Sequence, residues 1–308
     1  LKKVTPVLLL LKQAFDNLRA NDPIRMAGAT AFFTFFALPP IVIILSNVLS
    51  HVFNDHYQQI SGQLFDELAG LFGPKSANQL EAISHRLKQP RAGLPLTVLS
   101  ILLLFVASTT LFAIVKNSIN QLWNIKTKPG RNFLYVLTDK LIALAIIVGS
   151  GFLFSLSVTL EQFMAQTPIK TFFSSLAYYG GMVTLWNSLT SILIRTVWFA
   201  LLLKFLPDIR IPWRAIWLGA LFTSVLFKVG EVVLNRLLIH GQIASLYGTS
   251  GSIILLLLFV FYSSLIFYYG AAFTRQYSEW THLNAEPNNR AVSYTITENP
   301  ENAVSSEQ

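Results

Sequence analysis

Residues 252–274 read SIILLLLFVFYSSLIFYYGAAFT, 23 positions without one Asp, Glu, Lys or Arg. A helix needs about 20 apolar residues to cross the hydrocarbon layer of a bilayer. A core helix of a soluble domain this long would carry a polar stripe for its wet face, and none is written here. The stretch therefore reads as a membrane span. Five earlier blocks share its character, at about 27–50, 94–115, 141–160, 183–206 and 215–234. Together they predict an all-α fold: a polytopic membrane bundle of six transmembrane helices over residues 23–280, with amphipathic interfacial helices beside it.

Composition points the same way. The 308 residues are 53% hydrophobic and 12% charged, against about 25% charged in an ordinary soluble domain. Cysteine is absent, which excludes disulfides, a thiol nucleophile and any cysteine metal site. The formal net charge of +8 fits a topology signal better than a nucleic-acid partner, because membrane proteins gather Lys and Arg in cytoplasmic loops. Of the 23 Lys and Arg, 15 fall on the side of the two termini, 6 on the other and 2 within spans. That asymmetry places both termini on the cytoplasmic side.

Between the spans the punctuation is legible. Residues 1–22 are too short in their apolar part to cross and carry no small-residue cleavage site. Thr5-Pro6 opens a helix there that mixes Leu with Lys12 and Arg19, as a helix on the inner membrane surface does. Asp22-Pro23 opens the next helix, in which Pro39-Pro40 removes two backbone donors and predicts a kink or break. Residues 51–93 form the longest loop, with amphipathic spacing and a capping box at Ser76–Gln79. The second-to-third loop is basic, with Lys116, Lys126, Lys128, Arg131 and Lys140. Gly149-Ser150-Gly151 offers a close-packing face in the third span. The Gly-rich run 245–252 lacks the Lys of a phosphate loop and reads as a turn, with Gly248 and Gly251 as hinge candidates beside Pro39 and Pro40. Residues 281–308 turn to Asn, Glu, Ser, Thr and Pro and predict a disordered cytoplasmic tail.

Charges inside spans are costly, from about 3 kcal/mol each at the bilayer centre, and so they are informative. Here they are Arg195, Lys228 and Glu231. Lys228 and Glu231 are three apart and share a helix face. Arg195 lies about 10 Å from Glu231 in depth by helical rise, a gap its long side chain can largely close. The fourth span also carries Asn187, Ser188, Thr190 and Ser191. These residues predict a polar cavity between spans four and five, with Arg195, Lys228, Glu231, Asn187 and Ser191 binding an anionic group. Packing and snorkelling of the long stems is the plainer account of the same charges.

No enzyme signature stands against this. The histidines His51, His56, His85, His240 and His282 lack metal spacing, and neither HExxH nor GxSxG occurs. No catalytic residue, metal or cofactor is expected.

Four segments together resemble the YihY/BrkB family of bacterial membrane proteins: DPIRMAGATAFFTFFALPP (22–40), LFAIVKNSINQLWNIK (111–126), LPDIRIPWRAIWLGALF (206–222) and the run 245–277. The resemblance covers roughly 12–280 and implies six spans in the inner membrane. It also carries an old label, ribonuclease BN, which these residues do not support. The family's last span commonly ends Gly-Ala-Glu, where this chain has Gly270-Ala271-Ala272, and Phe259 and Phe261 replace its usual Trp and Tyr. The expected function is transport or handling of an anionic amphiphile, with membrane lipids as partners, anionic ones among them, and no nucleic acid. A non-catalytic envelope scaffold is the alternative.

Overall fold

The computed structural model describes residues 5–53, 110–128, 180–234, 251–289 and 291–295, with isolated helical positions between 138 and 153. Six helical segments lie in these ranges: α1 (Thr5–Ala20), α2 (Pro23–Phe53), α3 (110–122), α4 (Gly180–Phe205), α5 (Trp213–Leu234) and α6 (Gly251–Trp280). Four short strands join them, β1 (Ile125–Thr127), β2 (Ile209–Arg210), β3 (Glu286–Pro287) and β4 (Ala291–Ser293).

The first, fourth, fifth and sixth apolar blocks each fall inside one helix, because length and apolarity are what a spanning helix requires. Among the described residues α5 and α6 are long and apolar enough to cross a membrane over Trp213–Val233 and Ile253–Trp280. The second block is described only from residue 110, and the third only at scattered positions. The outer loop 51–93 falls outside the described residues from 54 onward.

Polarity is arranged as a lipid solvent demands. Leu189, Leu193, Leu221, Val225, Val229 and Leu258 are exposed, while Thr223, Ser224 and Thr274 are fully buried. Buried hydroxyls turn back on their own helices: Thr223 Oγ1 donates to Gly219 O at 2.6 Å and Thr274 Oγ1 to Gly270 O at 2.7 Å. These two turns face each other across the antiparallel α5–α6 contact. A Cβ on Gly219 would meet Thr274 Oγ1 at 1.9 Å, and one on Gly270 would meet Thr223 Oγ1 at 1.9 Å. Each helix thus offers a Gly-x-x-x-Thr face whose glycine receives the other's threonine, the small-residue mode by which membrane helices approach closely.

α1 buries Leu10, Ala14 and Leu18, spaced four apart, and packs against α6, where Tyr269 Oη donates to Leu11 O at 3.0 Å. Its other face exposes Leu8, Phe15, Lys12 and Arg19. α2 packs on α6 as well, and Thr30 Oγ1 lies 2.6 Å from the hydroxyl of the fully buried Tyr268.

Two expectations are corrected, a break of the helix at Pro39-Pro40 and a tail disordered from residue 281. Pro39-Pro40 does not break α2, which runs unbroken from Pro23 to Phe53; a membrane helix tolerates the lost donors where its surroundings satisfy the freed carbonyls. Gly251 is the first residue of α6, and Gly248 falls outside the described residues. The tail is not disordered from residue 281. β3 pairs antiparallel with β2, placing Glu286 opposite Arg210, and β4 pairs antiparallel with β1, placing Val292 opposite Lys126. Composition predicts disorder because so polar a segment buries little apolar surface. This one is held through backbone hydrogen bonds to two loops instead, as an added strand is.

The turn from α6 into this strap is a Schellman motif. Leu283 N–H donates to Ser278 O at 2.9 Å and His282 N–H to Glu279 O at 3.2 Å, with His282 at a φ of 52°. Glycine is the residue that adopts this conformation at least cost. His282→Gly is expected to raise stability by about 0.5 kcal/mol, on the scale of turn substitutions of this kind, measured as a higher melting temperature in detergent.

Candidate functional site

α4 and α5 are antiparallel neighbours, joined through residues 206–212. Their register is set at a buried contact, where Thr196 Oγ1 donates to Ser224 Oγ at 3.0 Å. Counting from it, Glu231 lies about 9 Å beyond the level of Arg195 along the helix axes. The Arg195 side chain spans that distance: Nη1 lies 2.5 Å from Glu231 Oε2. Lys228 Nζ stands 3.5 Å from the same oxygen. The guanidinium also rests over the Phe227 ring, 5.5 Å from its centroid.

The three charges expected from the sequence therefore form one network of two cations and one carboxylate, net +1. The side chains of Arg195, Glu231 and Lys228 keep 25%, 20% and 34% of their surface exposed. At this level the helices are bridged by the ion pair itself, and the described residues form a partly open polar seam. Ser191 is half-buried one turn before Arg195, and the Asn187 side chain falls outside the described residues.

A second polar centre was not foreseen. It lies at the other end of α4 and α5, around Asp208. Lys116 Nζ of α3 is 2.8 Å from Asp208 Oδ1, with only 10% and 5% of the two side chains exposed. Asn120 Nδ2 and Thr127 Oγ1 each donate to Asp208 Oδ2 at 3.2 Å. The Asp208 N–H donates to Asn120 Oδ1 at 2.8 Å, and its carbonyl accepts from the Asn288 N–H at 2.9 Å. Lys116, placed in a basic loop by its charge, is instead a helical residue with a buried partner. The signal available was that Lys116 and Asn120 sit in one family-like segment and Asp208 in another. Nothing in their spacing shows that segments 88 residues apart meet.

The comparison with known proteins takes in both of these segments. The sequence profile described as "Virulence factor BrkB" matches residues 14–294, through the last strand of the strap. This chain belongs to the BrkB family.

Its relatives carry the printed name "UPF0761 membrane protein". That of Alcanivorax borkumensis is 26% identical over 252 residues, 82% of this chain and 56% of the relative. That of Chromobacterium violaceum is 28% identical over 265 residues, 83% of this chain and 59% of the relative. That of Tolumonas auensis is 26% identical over 259 residues, 83% of this chain and 80% of the relative. The chain spans between 56% and 67% of the first three relatives it matches. No solved structure matches it. With apolar helices outside and hydroxyls inside, this BrkB-family chain is an integral membrane protein. Ala272 is fully buried in the core.

Proposed function

We propose that this BrkB-family protein crosses the bacterial inner membrane six times, with both termini cytoplasmic, and binds an anionic amphiphile for transport or lipid handling. The carrying observation is the Arg195–Glu231–Lys228 network, net +1 and partly open, on helices that expose Leu189, Leu193, Val229 and Val232 around it. An uncompensated charge in hydrocarbon is costly, and an acyl-chain-borne anion is the counter-charge the bilayer itself supplies. No catalytic role is proposed. The scaffold alternative loses part of its cue, because residues 286–287 and 291–293 of the tail are engaged by the protein's own loops.

The test is native mass spectrometry with lipid analysis of gently purified protein, run beside an Arg195→Ala/Lys228→Ala double variant. Selective retention of anionic lipid by the unmodified protein, lost in the variant, is the expected result. Equal, unselective lipid in both returns the charges to a packing role and moves the scaffold reading ahead.

A further inference from the structure

The two cations do not stand side by side as independent donors. Both converge on one oxygen, Glu231 Oε2, at 2.5 and 3.5 Å. Arg195 has five N–H donors and Lys228 three, so each keeps donors beyond the one directed at Glu231. Phe227 covers one face of the guanidinium, which leaves its edge for a planar or tetrahedral oxyanion. The carboxylate thus holds the two cations within reach of a shared ligand and removes one unit of positive charge from the site.

Resting on the lipid-binding reading above, we propose that Glu231 sets the charge of the headgroup this site accepts. With Glu231 ionised the network is +1, and a phosphodiester monoanion neutralises it. A phosphomonoester dianion overfills it and stands against the carboxylate as a like charge. The accepted ligand class is accordingly a lipid with a phosphodiester headgroup, and Glu231 is its specificity-determining residue, excluding dianions rather than attracting anions. Removing the carboxylate's charge raises the network to +2 and moves the optimum to the dianion.

The experiment uses the full chain in nanodiscs of zwitterionic lipid doped with either phosphatidylglycerol or phosphatidic acid, at a pH where the latter is a dianion, with bound lipid counted by native mass spectrometry. Unmodified protein is expected to prefer phosphatidylglycerol by roughly tenfold, the ratio that about 1.4 kcal/mol gives. Glu231→Gln is expected to reverse the order. Glu231→Asp keeps the charge and is expected to keep the preference. Should Glu231→Gln not fold, Lys228→Gln decides: it brings the network to zero and is expected to abolish the preference for anionic over zwitterionic lipid. Anionic lipid bound in the same order by unmodified protein and Glu231→Gln, or an anionic preference untouched in Lys228→Gln, overturns the proposal while leaving the lipid-binding reading in place. No anionic preference in the unmodified protein overturns both.

Discussion

Asp208→Ala is expected to cost about 3–5 kcal/mol, because removing one partner of a buried ion pair leaves the other charge buried and uncompensated. The loss is large here because one carboxylate serves Lys116, Asn120 and Thr127 together. Replacing Lys116 by Met in the same chain is expected to return part of it, since no buried ammonium is then left without its carboxylate, while Asn120 Nδ2 and Thr127 Oγ1 still lose their acceptor. Two measurements check this. The melting temperature in detergent should fall in Asp208→Ala and recover in part in the double variant. Limited proteolysis should cut the strap early in Asp208→Ala, because the 2.9 Å bond from Asn288 N–H to the Asp208 carbonyl depends on the loop keeping its shape. A single variant as stable as the unmodified protein would show that the pair contributes nothing.

Gly270→Ala is the second substitution expected to act strongly. The new Cβ meets Thr223 at Oγ1, 1.9 Å, and also at Cβ, 2.9 Å. Thr223 cannot rotate clear, because Cβ does not move with χ1 and its hydroxyl is committed to Gly219 O. α5 and α6 must therefore separate, at an overpacking cost of about 1–3 kcal/mol or more. Adding Thr223→Gly removes the obstructing atoms and is expected to restore the contact, less about 1 kcal/mol for a second helical glycine. The same holds across the pair for Gly219→Ala with Thr274→Gly. Thermal unfolding of the two glycine variants, the two threonine variants and the two doubles is the check. Additive losses in the doubles would contradict direct packing of these side chains.

Much of the helical frame was legible because a spanning helix is specified by length and apolarity alone. The fourth and fifth blocks, 183–206 and 215–234, lie within one to three residues of α4 and α5. The last helix runs six residues beyond its apolar block, to Trp280, since Arg275 and Glu279 pair with each other at 2.7 Å on the polar turn. Pairing of Arg195 with Glu231 was also within reach, as helical rise and a long side chain suffice to predict it.

What escaped was non-local. Asp208 follows Pro207 and reads as a turn residue, and only the fold brings it to Lys116 and Asn120. The strap escaped for a different reason: its partners are backbone groups of other loops, and no side-chain pattern marks a segment that borrows hydrogen bonds.

Residues 283–295 follow α6 in the chain, so the ribosome makes them after every helix described here. The loops at 123–128 and 206–212 are synthesised before the strands that pair with β1 and β2. Their clasp arrives only when insertion is complete. Biogenesis of this protein thus has two stages of different character, a vectorial one that threads helices into lipid and a terminal one that fastens their ends. A chain released before residue 286 would have the helices in place and only the side-chain contacts of Asp208 to link those two loops.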